Sequence, residues 1–436
     1  MKAGGDPFPP ALVLLLLGAA AGDVPLPAAW RIGTLAGLSL LALAVVLFFG
    51  RLPARIWIAG GLVLGLIALY AWNASHRWID GRGLVPLEHV PGMPASAFPG
   101  GTWGTFRVGL ASFAVFALAS RMSARQVRWL QGVAVVAGAG MALAVLMQRL
   151  EPNPFHVYER TGIFVNENHF AVFSNLLLPV ALAMASRARF RAVQEGRPSS
   201  PAGLYLLAAV LMAAAVVLCR SRAGVAVMAL LVAAHVGLCR RIFRAYPFVG
   251  IPVSPWLRGM GWLSIAAAAG FAVRAFVREW RQVEIIGREW AFRSGILKDA
   301  LAAWREHPVW GIGPGAFPVV FPYYQSAMFE GKTILHAHCE PVQFLIEFGV
   351  AGGILALAGM ALALFARRGE PFAAAAEIPP FADLERRAFG FGLVACALHC
   401  LVDFPLRIPL IALLAAAWAG VWAGTRPAKA AGDRRA

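Results

Sequence analysis

The sequence predicts an all-α, polytopic membrane protein with about twelve transmembrane helices and a large helical external loop between spans nine and ten. Three observations predict it. The 436 residues are 59% hydrophobic and only 14% charged, with a mean hydropathy of +0.68. Apolar runs of roughly 17–25 residues, long enough to cross a hydrocarbon core, recur through most of the chain. Lys and Arg fall in every second connection between those runs, the bias that marks the cytoplasmic side of a membrane. Residues 1–436 therefore read as one integral membrane domain.

The runs lie near 10–22, 32–50, 55–72, 105–120, 127–149, 168–186, 203–219, 222–240, 259–277, 341–366, 386–403 and 407–424. The first is short and ends Ala20-Ala21-Gly22, as a cleaved signal peptide would. Its only preceding cation is Lys2 and the next run follows closely, so an uncleaved helix is expected. Cations cluster at Arg51 and Arg55, at Arg121, Arg125 and Arg128, at Arg187–Arg197, at Arg240, Arg241 and Arg244, at Arg367 and Arg368, and at the C-terminus. With twelve spans this places both termini in the cytoplasm. The formal charge of +17 is then a topology signal rather than the footprint of a nucleic-acid partner. The five cysteines form no CxxC pair, and Cys396 and Cys400 share a helix face as packing thiols, so neither a disulfide framework nor a zinc site is implied.

The remaining connections fall on the external side. Residues 73–104 are rich in Gly and Pro, show neither a strand nor a helix period, and read as irregular, solvated cover. Residues 150–168 bring Arg160 and then Asn166, Glu167, Asn168 and His169 to the start of the sixth span, where Asn and His can cap the helix or contact a substrate. The connection CRSRAGV carries Arg220 and Arg222 against the charge bias, with almost no loop for snorkelling, so each needs an anionic partner, a carboxylate or a phosphate. The largest external segment, 278–340, contains a helix whose apolar stripe runs through Trp290, Leu297, Ala300, Leu301 and Trp304 and includes Arg293. That arginine either turns inward toward a site, snorkels, or pairs with Glu289 at i,i+4. Asp403 and Arg407 are expected to pair structurally across Pro405.

The stretch 307–353 carries most of the functional signal. It ends an amphipathic helix, breaks on Gly311, Gly313 and Gly315, and presents His336, His338 and Glu340 at the mouth of the tenth span. Ionisable groups in that position are costly unless used or paired. The glycines alone support only a tight turn. No Walker loop, dinucleotide fingerprint, HExxH or acidic pair for a divalent cation occurs, so no cofactor or metal is expected. Arginines suit a diphosphate whose charge grows as it leaves, and an imidazole suits taking a proton from an attacking hydroxyl. Together they describe glycosyl transfer from a lipid diphosphate-linked sugar to a hydroxyl.

On these residues the chain resembles the O-antigen ligase/O-antigen polymerase superfamily of bacterial inner-membrane proteins. The resemblance is carried by RTGIFVNENHFA (160–171), SRAG (221–224), RSGILKDALAAWREHPVWGIGPGAF (293–317) and HAHCEPVQFLIEFGVAGG (336–353), with LVDFPLRIP (401–409) also similar. It is specific over 160–353 and weak before residue 150. It implies about twelve spans, a periplasmic active site in an inner-membrane protein, and an inverting, metal-independent transferase. The donor would be an undecaprenyl diphosphate-linked glycan, and the acceptor a glycan, lipid A-core or protein hydroxyl. By resemblance Arg222 and Arg293 hold the diphosphate and His338 is the general base. Arg160, Arg220, Asn168, His336 and Glu340 are candidate substrate contacts, with Glu340 orienting the base. Cys339 and Glu340 stand where the family usually has Asn and often Asp, and Leu297 where Trp is frequent; the first departure leans toward a polysaccharide-specific relative. The competing classes are a transporter or flippase of an anionic lipid-linked substrate, and a structural membrane protein.

Overall fold

The computed structural model describes residues 8–20, 28–49, 52–148, 161–197, 200–245, 283–365 and 379–424. Its long helices are α1 (Phe8–Ala20), α2 (Ala28–Phe49), α3 (Ala54–Trp72), α4 (Pro99–Ala119), α5 (Ala124–Gln148), α6 (Glu167–Gln194), α7 (Ala202–Leu218) and α8 (Arg222–Ala245). They continue with α9 (Val283–Glu306), the single turn α10 (Phe317–Val320), α11 (Glu340–Phe365), α12 (Pro379–Cys400) and α13 (Pro409–Gly424). Among the described residues, α3, α4, α5, α6, α8 and α11 are long and apolar enough to cross a membrane, and α1, α2, α7 and α13 contain shorter apolar stretches. The predicted run 259–277 lies outside the described residues.

Helix α6 is the centre of the bundle. Some 83% of its apolar window is buried, against 33–44% for the other five long apolar helices. It packs against α5, α7, α8 and α12, and small residues let two of those neighbours close in. A side chain on Gly224 of α8 would meet Ala171 Cβ at 2.5 Å, and one on Gly392 of α12 would meet the Leu176 carbonyl at 2.8 Å. The Trp418 indole of α13 donates to that same carbonyl at 3.1 Å. Close backbone approach of this kind holds helices together where lipid gives no hydrophobic drive.

The all-α expectation needs one amendment. Residues 73–104 are not irregular throughout: β1 (His76–Ile79) and β2 (Gly83–Pro86) form an antiparallel hairpin, and α4 already begins at Pro99. The strands are only four residues long and neither buries a face, so no period-2 pattern marks them.

The connections 73–98, 161–166, 219–221, 307–339 and 401–408 meet at one end of the bundle, and 73–98 and 307–339 share an apolar cluster with α9. Ile296, Ala300 and Ala303 of α9 are buried there with Phe317, Phe321, Phe329, Ile334, Ala337 and Ile346. The buried face of α9 thus runs through Ile296, Ala300 and Ala303; Trp290, expected on the stripe, is 70% exposed. One turn from Ile296, Arg293 lies at the edge of that face.

The glycine turn is a backbone joint. Helix α11 breaks at Gly349 (φ +64°), and the segment after α9 docks into the break. Ile312 and Gly313 donate to the carbonyls of Ile346 and Glu347 at 3.0 and 2.9 Å, while Val350 and Ala351 donate to Pro308 and Val309 at 2.9 Å each. A side chain on Gly349 would meet the Val309 carbonyl at 2.3 Å, and one on Gly311 (φ +71°) the Ile346 carbonyl at 2.4 Å. Only glycine suits both the conformation and the space. Tyr70 of α3 places its hydroxyl 2.6 Å from the Trp310 carbonyl and 2.7 Å from that of Phe348, bracing the joint.

Candidate active site

Chain polarity and capping bring the first basic group to the loop end. Ser221 caps α8, its Oγ accepting from Gly224 N–H at 3.0 Å. The same hydroxyl donates to Asn168 Oδ1 at 2.7 Å, tying the start of α8 to the start of α6. Asn166 caps α6 through Asn168 N–H at 2.8 Å, so the capping reading holds for Asn166, while the Asn168 side chain braces the SRAG segment. Arg222 is then the first residue of α8, where the helix dipole already favours an anion. Its Nη1 donates to Glu289 Oε2 of α9 at 2.9 Å. Glu289 therefore pairs with Arg222 and not with Arg293, as the i,i+4 alternative supposed.

Arg293, one turn after Glu289, donates through Nη1 to the carbonyl of Val402. That carbonyl belongs to the turn after α12, which also carries Asp403 and Phe404. His338 faces the same turn: its Nδ1 lies 3.6 Å from Asp403 Oδ1, with the imidazole 25% and the carboxylate 1% exposed. The separation exceeds a hydrogen bond, as acid–base pairs often do before substrate arrives. Asp403 Oδ1 also accepts from Phe404 N–H at 2.9 Å.

Phe404 is the hub. The His336 ring stacks on it at 4.1 Å between centroids, the His338 ring meets it edge-on at 5.0 Å, and His169 from α6 does so at 4.9 Å. The histidine loop is fixed from below by Gln343. Its Oε1 accepts from Ala337 N–H at 3.0 Å, between the two histidines, and its Nε2 reaches His336 Nδ1 at 3.3 Å and donates to Glu347 Oε1 at 3.1 Å. Burial first, and the Arg407 charge second, lower the His336 imidazole to about 4. His336 is therefore neutral near pH 7 and a packing and hydrogen-bonding group rather than a cation.

Arg407 does not pair with Asp403. Pro405 turns the chain into a 3₁₀ segment (Pro405–Arg407), which delivers the guanidinium to α11. Its Nε donates to Glu340 Oε2 at 3.2 Å and its Nη1 to Glu347 Oε2 at 2.7 Å. Glu340 is accordingly engaged by Arg407, and the carboxylate beside His338 is Asp403. His169 Nε2, His338 Nδ1, Glu340 Oε1 and Asp403 Oδ2 are buried without a hydrogen-bond partner among the described residues.

Two of the candidate residues have strained backbone. Among the described non-glycine residues, Arg220 (φ +68°) and His338 (φ +53°) are the two with positive φ. Such conformations cost about 1–3 kcal/mol each and gather at functional sites. Arg220 is exposed beside Arg222. Arg160 lies outside the described residues. Sequence reasoning missed Phe404, Gln343 and Glu347 and assigned Asp403 to the wrong partner. Phe404 carries no local signal, but a buried Gln343 and Glu347 at i,i+4 on an apolar helix were visible as polar groups needing partners.

No curated protein matches the chain. Residues 207–357 match the family model described as O-Antigen ligase, a segment that runs from within α7 through α8, α9 and the glycine joint to beyond the break in α11. It contains Arg222, Arg293, His336, His338 and Glu340 but stops short of the Asp403–Phe404 turn. This match, over about a third of the chain, and the chain's apolar helices support a membrane protein similar to the O-antigen ligase/polymerase superfamily.

Proposed function

We propose that the protein transfers an undecaprenyl diphosphate-linked glycan to an acceptor hydroxyl at the periplasmic face of a bacterial inner membrane, with both termini cytoplasmic. The observation that carries the reading is the turn 401–404, which receives Arg293 on Val402 and His338 beside Asp403. Arg222 joins the same group through Glu289, one helical turn from Arg293. An incoming diphosphate would replace the Glu289 carboxylate on Arg222 and add bidentate contacts with Arg293.

The acceptor oxygen attacks the anomeric carbon from the face opposite the diphosphate and forms the new glycosidic bond. His338 takes the hydroxyl proton as the bond from the anomeric carbon to the diphosphate oxygen breaks. The electron pair of that bond stays on the lipid diphosphate, whose added charge the arginines stabilise. One displacement inverts the anomeric centre. Because guanidinium groups neutralise the leaving group, the proposed step needs no metal. Asp403 holds His338 in orientation and stabilises the imidazolium that forms, the role first assigned to Glu340. Phe404 and Gln343 fix where the ring sits. Arg160 and Arg220 remain candidate contacts to the glycan or the diphosphate, while Asn168 and His336 act through the loops they brace.

Losing one arginine that acts on the transition state should cost on the order of 3 kcal/mol, about 10²-fold in rate. Transfer measured in reconstituted membranes tests the reading. Arg222→Ala and His338→Ala should each lose it, and wild-type transfer by both would refute the assignment. The acceptor classes are lipid A-core, a second lipid-linked repeat, or a protein hydroxyl.

A further inference from the structure

A second site opens at the same end of the bundle, between the connection that follows α3 and the segment that follows α9. It is a cleft of about 580 Å³, within the range of pockets that hold a ligand. His76 and His89 line it from one side, and Glu306, His307, Tyr323 and Tyr324 from the other. The walls are stitched together by long-range hydrogen bonds. The Trp310 indole donates to the Gly92 carbonyl at 2.8 Å, Ala97 N–H to the Ile312 carbonyl at 2.9 Å, and Leu84 N–H to Tyr323 Oη at 3.2 Å.

The chemistry of this lining differs from that of the arginine group. Among the described residues no Lys or Arg lines the cleft, which does not favour a diphosphate there. Imidazoles, phenols and a carboxylate instead supply hydrogen-bond donors and acceptors in mixed order, as a polyhydroxylated ligand requires. The Tyr323 ring is 62% exposed, a rigid apolar face beside a polar tip. Tyr324 donates to Glu306 at 2.6 Å, which fixes both groups. Burial, then His89 and His307, hold His76 below its ordinary imidazole value.

The cleft and the candidate active site share a wall. Ala97, Ile312 and Val320 line the cleft and belong to the apolar cluster that buries Ala337, the residue between His336 and His338. The lining segment from Pro308 to Ile312 is also docked into the break of α11, whose first turn follows the histidines.

We propose that this cleft is a saccharide subsite, holding the acceptor glycan beyond its reacting hydroxyl; the acceptor role rests on the transferase reading above. The test uses the full protein in lipid nanodiscs and, as probe, oligosaccharides released by mild acid from the encoding organism's own surface glycan. Saturation-transfer NMR reads binding, and transfer to the same oligosaccharides is followed in parallel. Wild type and His338→Ala should both bind, whereas Tyr323→Ala combined with His307→Ala should weaken binding and raise the acceptor KM roughly tenfold, about 1.4 kcal/mol, with the donor KM unchanged. Both substituted positions are exposed, and Tyr323→Phe, which keeps the ring, should retain most of the binding. Undiminished binding by the double variant overturns the inference, and so does absence of binding to wild type, the outcome if the cleft takes lipid headgroups. A double variant with normal binding beside an inactive His338→Ala sinks the cleft alone. A fully active His338→Ala beside a double variant that fails to bind sinks the proposed mechanism and leaves the saccharide site standing.

Discussion

Replacing Asp403 with Asn isolates the one carboxylate that faces His338. The substitution preserves shape, and an Asn Oδ1 can still accept from Phe404 N–H, which Asp403 does at 2.9 Å. What it removes is a full charge 3.6 Å from His338 Nδ1. Once His338 takes the acceptor's proton, an imidazolium at that distance gains about 4–5 kcal/mol at an effective dielectric of about 20. The attraction acts only on the charged state, so it lowers the barrier and not the ground state. Partial solvent access to the imidazole reduces the effective gain to about 3 kcal/mol, or about 10²-fold in kcat. Steady-state transfer by the purified variant should show that loss with donor and acceptor KM nearly unchanged, the signature of an interaction made only in the transition state. An Asp403→Asn enzyme with more than about a tenth of wild-type kcat would refute this role for the pair.

Three further outcomes follow from the same geometry. Gly349→Ala combines a left-handed conformation with a collision on the Val309 carbonyl and should release the two hydrogen bonds made by Val350 and Ala351. The expected cost is about 3–4 kcal/mol, read as faster hydrogen exchange at 350–351 and lower thermal stability. Arg407→Ala leaves Glu340 and Glu347 buried without their cation and should destabilise the protein by about 3–5 kcal/mol; adding Glu340→Gln and Glu347→Gln should recover much of it, and no recovery would remove the ion triad from the account. His336 has its folded value lowered to about 4, so the unfolded chain takes up the proton first as pH falls below about 6.5. Its neutral packing then contributes fully above that pH and is lost progressively toward pH 4, by up to about 3 kcal/mol. Urea titrations between pH 7 and 4 should show this slope in wild type and its absence in His336→Gln.

The helical bundle was legible because a run of apolar residues long enough to span a bilayer has few alternatives as a structure. The extramembrane end was less so. The hairpin at His76–Ile79 and Gly83–Pro86 is held by cross-strand bonds with no buried face to impose alternation. The turn after α9 announced itself through glycines, but that its N–H groups go to α11 carbonyls follows from the break at Gly349, which lies inside an unbroken apolar run. Arg222, Arg293 and His338 stood out as charges or imidazoles in costly places. Their partners did not: Val402, Asp403 and Phe404 are 64 or more residues away in the chain from His338 and show no local pattern. The spacing of Asp403 and Arg407 suggests a pair across Pro405, but the turn at Pro405 sends the two side chains to different partners, Asp403 toward His338 and Arg407 to Glu340 and Glu347.

The central claim is that guanidinium groups bind the donor's diphosphate while one imidazole performs the proton transfer, and donor binding measured apart from turnover tests it most directly. Using a lipid diphosphate-linked glycan in nanodiscs, His338→Ala should bind the donor as wild type does and yield no product in a single turnover. Arg222→Ala and Arg293→Ala should each weaken that binding by about 10-fold or more. Normal donor affinity in both arginine variants, or single-turnover product from His338→Ala at the wild-type rate, would contradict the account.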